Sequence, residues 1–454
     1  MKRFASKQLD QWLKNSSRKP MIIRGARQVG KTWLVHDLAS RHKKSLIELN
    51  FEKRPDFIDL FTENEPEKIL VNIEAEFDIH INLDESILFL DEIQAAPEIF
   101  SKLRWFKEDI PKLPVIAAGS LLEFTLNTFH FSMPVGRITY FYLEQMSFFE
   151  FILAHGKDAL YKKLCLPDVY KKNKIPESLH KKCLNLYYEY CIVGGMPEVV
   201  KNWVQNKNIQ ECIKIQQDII STYRDDFHKY AGKNDPRLLS KIFLSVAKQL
   251  GNKFVYTLVD QTYKVEAIKN AFNLLSHAKV CTKISHTSGN GLPLGAESNE
   301  KFFKTMMLDI GLVSAQLGLS SLKNIDLQNI ILSNKGGLAE QFVGQQFRSA
   351  QSPMSEPQLF YWQKIGGGQA EIDYIIQYGN KIIPVEVKSG ASGSMKSLHY
   401  FMYEKKLNLA VRLNVNMPEE MDIDVKTTQS KNVKYKLISL PIYLAERIYH
   451  ILDE

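Results

Sequence analysis

The chain has 454 residues, and its 59 Lys and Arg against 51 Asp and Glu give a formal net charge of +8. With 44% hydrophobic and 24% charged residues it has the material for real cores, which excludes global disorder, and its length suits about two to four domains. No run approaches the roughly 20 apolar residues that span a bilayer, and charge interrupts the first seven residues. The five cysteines, Cys165, Cys183, Cys191, Cys212 and Cys281, form neither a disulfide framework nor a zinc ribbon, so a cytoplasmic protein with no membrane partner is expected.

Residues 1–150 alternate between strand and helix patterns. Pro20-Met21-Ile22-Ile23-Arg24 reads as a short buried strand, followed by a glycine loop and a helix over 32–41. Further buried strands are expected at 45–50, 87–90 and 115–118, which together predict a mostly parallel sheet covered by helices. From 151 to 234 the pattern is helical, broken by Gly194-Gly195-Met196-Pro197, which should turn the chain into another helix. Between Gly156 and Cys183 eight lysines face three acids; this stretch reads as a solvated, mobile connection or as a patch facing phosphates.

Over 235–332, helices at 238–251 and 265–278 lead into a strand at 279–284. That order predicts a winged helix-turn-helix, although a helical packing module that never touches DNA has the same pattern. Over 333–454, Leu338, Ala339, Phe342, Val343 and Phe347 keep helix spacing, and strands are expected at 359–362, 371–376 and 381–387. The fold class expected is therefore α/β: a parallel-sheet module, a helical and winged middle, and a second α/β module.

The strongest chemical signal is Gly25-Ala26-Arg27-Gln28-Val29-Gly30-Lys31-Thr32, a full GxxxxGK[ST] between a strand and a helix. Gly25 and Gly30 permit close backbone approach, and the amides of Ala26, Arg27, Gln28 and Val29 can surround phosphate oxygens. Lys31 would reach the β and γ phosphates of ATP, and the Thr32 hydroxyl would take one place on Mg²⁺. The buried run Ile87-Leu88-Phe89-Leu90 ends in Asp91-Glu92, where Asp91 can hold Mg²⁺ and Glu92 can polarise the attacking water. Ser120, after the 115–118 strand, can sense the γ phosphate or cap a helix. Arg137 can serve as an arginine finger to a neighbouring subunit or make an ordinary surface ion pair.

At these residues the chain resembles the AAA+ ATPases, with 25–32 as Walker A, 87–92 as Walker B and Gly119-Ser120 near the sensor 1 position. More closely, it resembles prokaryotic AAA-type ATPases with an uncharacterised C-terminal domain, through Leu90-Asp91-Glu92-Ile93-Gln94, Gly136-Arg137, Ser147-Phe148-Phe149-Glu150-Phe151 and Gly194-Gly195-Met196-Pro197-Glu198. The resemblance implies ATP binding and hydrolysis and allows a homo-oligomer; it supplies no substrate. No sensor 2 arginine is evident.

A second site is suggested near the C-terminus. Gly379-Asn380 separates two apolar-rich runs and reads as a hairpin turn. With these two as turn residues, Tyr378 faces Lys381 and Asp373 faces Glu386, placing Asp373, Glu386 and Lys388 on one face. Facing carboxylates repel unless a cation sits between them, so Asp373 and Glu386 would bind Mg²⁺ and Lys388 would stabilise charge or orient water. The pattern is similar to the PD-(D/E)xK nuclease core, a restriction-endonuclease-like fold. That resemblance implies a further acid on the preceding helix, matched by Glu340 and more weakly by Gln363. The bland alternative is a cross-strand ion pair between Glu371 and Lys388. Two functions are consistent with the sequence: an ATP-regulated enzyme that binds or cleaves DNA, and a nucleotide-dependent switch or scaffold that binds protein or DNA through an inactive nuclease-like fold. A third is a protein that binds ATP but hardly hydrolyses it.

Overall fold

The computed structural model describes residues 1–119, 136–230, 234–319, 336–366, 370–390 and 393–453. In the first part of the chain, strands β1 (Met21–Arg24), β2 (Ser45–Asn50), β3 (Ser86–Asp91), β4 (Val115–Ala118) and β5 (Thr139–Tyr142) pair in parallel in the order β2-β3-β4-β1-β5. Every residue of β3 and β4 is buried, as their unbroken apolar runs require when helices cover both faces. One face packs under the helices Pro66–Phe77 and Ile99–Asp109 through Ile69, Ile73, Phe100 and Leu103. On the other face, Ile23, Phe89 and Ile116 join a core that continues through the middle of the chain into the C-terminal part.

The second sheet comprises β6 (Cys281–Thr287), β7 (Ser298–Met307), β8 (Phe360–Gln363), β9 (Glu371–Tyr378), β10 (Lys381–Val387), β11 (Leu409–Asn414), β12 (Glu419–Lys426) and β13 (Asn432–Pro441), in the order β12-β13-β11-β10-β9-β8-β6-β7. The expected helix, helix and hairpin order of a winged motif is present, but its hairpin is not a free wing. Its strand β6 pairs in parallel with β8 through Ser285 opposite Phe360 and His286 opposite Tyr361, so β6 and β7 form one end of the C-terminal sheet. The physical reason is apolar: Phe303 on β7 packs among Phe254, Phe272 and Tyr256, which fastens the preceding helices to this sheet.

The lysine-rich stretch is not a mobile connection. It contains the helix Asp158–Leu164 and the start of the helix Glu177–Val193, and it buries Leu160, Leu164, Val169, Tyr170 and Ile175. Lysines of this stretch also pair with acids, Lys174 with Asp168 and Lys181 with Glu177. All five cysteines are free thiols, four of them buried, and among the described residues no helix is long and apolar enough to cross a membrane.

Candidate functional site

The P-loop joins β1 to the helix Lys31–Arg41 at the carboxyl end of the sheet, where open α/β folds place their ligands. Gly25 has φ +154°, and a side chain there would run into the carbonyl oxygen of Leu143. Gly30, at φ +95°, starts the helix in a left-handed conformation. Lys31 is buried, and its ammonium donates to the carbonyls of Gly25 (3.1 Å) and Ala26 (2.9 Å), so the loop curls around its own lysine.

Thr32 donates its hydroxyl to Asp91 at 3.2 Å, and the Asn50 amide, on the neighbouring strand, reaches the same carboxylate at 3.2 Å. Burial, together with the charge of Glu92, pushes Asp91 up to about 6 despite the Thr32 bond. A hydroxyl beside a carboxylate is a donor set that suits Mg²⁺, which takes its other ligands from phosphates and water. Glu92 sits at φ 52°, and the Gln94 amide donates to its carboxylate at 2.6 Å.

Arg27 leaves the loop in the direction of the helix Ile209–Tyr230. Its Nη1 lies 2.8 and 3.0 Å from the two oxygens of Asp226, and the Tyr223 hydroxyl donates to its carbonyl at 2.8 Å. Arg137 makes the ordinary surface pair, donating to Glu108 at 2.7 Å beside Arg104, with 47% of its side chain exposed. Ser120 lies outside the described residues.

At the second site, β9 and β10 pair in the register the Gly379-Asn380 turn demands, with Tyr378 opposite Lys381 and Tyr374 opposite Val385. Asp373 accepts the Val387 N–H at 2.7 Å. The cation among these acids, however, is Lys304 of β7. Its side chain is 1% exposed, and its ammonium lies 2.8 Å from Glu340 and 3.6 Å from Asp373 and pairs with Glu371 as well. Burial opposes the charge, but the three carboxylates outweigh it and hold Lys304 well above the ordinary lysine value.

Lys388 pairs with Glu386, not with Glu371. The other oxygen of Glu386 is buried without a hydrogen-bond partner, and burial plus the charge of Asp373 pushes this carboxyl up to about 8 against the pull of Lys388. Gln363 stands on β8 opposite Glu371, its carbonyl accepting from His286 at 2.9 Å. Among the described residues no three or more His, Cys, Asp or Glu side chains are set to hold a metal ion. Of the residues read as metal ligands, Glu340 and Asp373 are paired with Lys304, while Glu386 is paired with Lys388 and keeps one unpartnered oxygen. The acids already have an internal ammonium.

Residues 17–152 match the family model described as an AAA domain. That span contains the whole P-loop, Asp91, Glu92 and all five strands of the first sheet. The first third of the chain is therefore similar in sequence to AAA domains. Residues 184–323 and 335–441 match two other families, each described as a domain of unknown function. No curated protein matches the chain in sequence. Similar solved structures include the ORC2 protein of Aeropyrum pernix, 13% identical, covering 70% of this chain and 92% of that one at a TM-score of 0.32. Cdc6p from Pyrobaculum aerophilum is 14% identical over 70% of this chain and 93% of that one, at 0.23. The RuvB Holliday junction branch migration motor of Thermotoga maritima is 14% identical over 62% and 88%, at 0.28. Scores this low carry no argument about activity.

The AAA domain is bound to the rest of the chain by buried polar contacts. The helix Phe148–Ala154 is capped by Ser147 and Glu150, and two of its N-terminal amides donate to C-terminal residues, Phe148 to Gln346 (2.7 Å) and Phe149 to Glu446 (3.0 Å). Asp309 joins the middle of the chain to the C-terminal part, accepting from the amides of Gly195 (2.6 Å) and Gly311 (2.9 Å) and from the Gln345 side chain (3.1 Å). A side chain at Gly194 would strike the Asp309 carboxylate and one at Gly195 the Met146 carbonyl oxygen, which explains the paired glycines. Sequence reasoning missed Lys304, Asp226 and Asp309. A signal existed for the first: Lys304 interrupts the otherwise apolar Phe302-Phe303 and Met306-Met307.

Proposed function

We propose that the AAA domain binds and hydrolyses ATP with Mg²⁺, and that the chain works as a nucleotide-dependent switch whose C-terminal module binds a partner without cutting DNA. The observation that supports the first half is the convergence of Lys31, Thr32, Asp91 and Glu92 at the end of one parallel sheet. Lys31 would exchange its carbonyl partners for β and γ phosphate oxygens, which bring net negative charge. Thr32 and Asp91 would hold Mg²⁺, whose chemistry is to neutralise charge on the phosphates. Glu92, once released by Gln94, would accept a proton from the attacking water.

The second half rests on Lys304. A divalent ion at Glu340, Asp373 and Glu386 would have to displace two ammonium groups, the buried Lys304 that Glu340 and Asp373 share with Glu371, and Lys388 on Glu386. This favours the switch reading over metal-dependent cleavage, with DNA or protein as the partner and a homo-oligomer as one assembly. The test is ATP turnover together with strand scission of single- and double-stranded DNA in Mg²⁺ or Mn²⁺. Turnover without scission is the expected outcome. Scission that disappears in Glu386→Ala would sink the non-cleaving assignment.

A further inference from the structure

Resting on the ATPase reading, we infer that Arg27 is a γ-phosphate sensor held by Asp226 until ATP arrives, so that the nucleotide decides whether the helix Ile209–Tyr230 grips the P-loop. Arg27 is the third residue of the GxxxxGKT motif, on the segment whose carbonyls hold Lys31. Its backbone is anchored twice, by the loop's wrap around Lys31 and by the Tyr223 hydroxyl on its own carbonyl. The Arg27 side chain is 31% exposed, whereas that of Asp226 is 10% exposed. Arg27 is thus the partner that can turn outward.

Both bonds to Asp226 run through one nitrogen, Nη1, and a guanidinium has five donors arranged as a fork. The charge around it is anionic on several sides. Asp226, and more distantly Glu52 and Glu92, offset burial to hold Arg27 above the ordinary arginine value. Lys229, on the same helix as Asp226, lies 3.5 Å from Glu52 and is a further cation at this edge.

A γ phosphate held by the P-loop would add negative charge to this group of carboxylates. Turning Arg27 from Asp226 to the phosphate would satisfy the more highly charged anion and leave the mostly buried Asp226 with Lys229 of its own helix as the nearby cation. ADP lacks that phosphate and leaves the pair intact. The released helix is not isolated. Gln216, on the same helix, donates to the carbonyls of Ile192 and Val193 at 2.8 and 3.0 Å, directly before the glycine turn that meets Asp309. A shift of the helix therefore reaches the junction with the C-terminal part. The device takes the place of a sensor 2 arginine, since it puts the sensing cation on the loop and its docking acid on the helical region.

The test uses the full chain and compares wild type, Arg27→Ala, Arg27→Lys and Asp226→Asn. Affinities for ADP and for a non-hydrolysable ATP analogue are measured together with amide exchange over residues 219–230. In wild type the analogue is expected to speed exchange there relative to ADP. Arg27→Ala should lower the ATP-over-ADP preference about tenfold and erase that difference, with Arg27→Lys between. Asp226→Asn should raise the preference and give the ADP complex the exchange rates of the ATP complex. An unchanged preference in Arg27→Ala, with both nucleotides still bound, would overturn the sensor and leave the ATPase reading standing. Wild type binding neither nucleotide would overturn both.

Discussion

The chain carries two clusters built from the same parts, a buried lysine and a set of acids, and they are prepared for opposite encounters. At the P-loop, Lys31 rests on the carbonyls of Gly25 and Ala26, dipoles without net charge. In the C-terminal module, Lys304 rests on the carboxylates of Glu340, Glu371 and Asp373. A phosphate reaching the first would give the lysine a charged partner, whereas a metal reaching the second must remove a buried ammonium from the carboxylates that hold it. Residue types show which chemistry is available, and the partner already in place decides which ligand can enter.

The comparison breaks most sharply at Lys31. Lys31→Ala should lower ATP turnover by roughly 100-fold or more, measured as phosphate release, because no other group on the loop replaces the ammonium. At the other cluster, Lys304→Ala should cost about 3–5 kcal/mol in urea unfolding, since it leaves several buried acids uncompensated. Mn²⁺ titrations sharpen this prediction: the variant should gain Mn²⁺ binding that wild type lacks, and tight binding by wild type would remove the contrast between the clusters.

A third acid tests burial without a lysine. Glu446 accepts the Phe149 amide, and burial pushes its carboxyl up to about 8. A raised carboxylate pKa means the folded state keeps a proton that the unfolded state releases. Its stability contribution is therefore full below the ordinary glutamate value and is lost as pH rises through about 8. Glu446→Gln should equal wild type at low pH and exceed it by about 1–3 kcal/mol in urea unfolding above that window.

At the P-loop the same sign of shift has a functional reading. With Asp91 pushed up to about 6, the Mg²⁺-dependent part of ATP affinity should fall as pH drops through that value, and titrations in Mg²⁺ and in EDTA should converge. The smallest effect is expected at Arg137, whose exposed pair with Glu108 should leave the melting temperature unchanged in Arg137→Ala. A loss of turnover that appears only at concentrations where the protein associates would give this residue a role across subunits.

What the sequence disclosed was local. The P-loop needs eight consecutive residues, Asp91-Glu92 ends an unbroken apolar strand, and the β9–β10 register follows from the turn Gly379-Asn380. The two acids expected to face one another, Asp373 and Glu386, pair with different ammonium groups, Lys304 and Lys388. The place of Lys304 was out of reach, because it lies on β7, which the sequence reading did not mark as a strand, and the pairing of β6 with β8 that carries it there spans more than 70 residues of chain. Arg27 was legible as a loop residue, but its bond to Asp226 joins segments 199 residues apart, and no periodicity records such a contact.

The seam between β6 and β8 has a practical consequence for dividing the chain. A fragment starting at residue 335, where the last family match begins, would keep β8 but lose its parallel neighbour, leaving ladder groups exposed along a sheet edge. It would also leave Glu340, Glu371 and Asp373 with no ammonium among them. Such a fragment should self-associate through the bare edge. Supplied with a separately made piece that ends after β7, it should instead recombine by fragment complementation, with strand pairing and charge neutralisation restored in a single docking event.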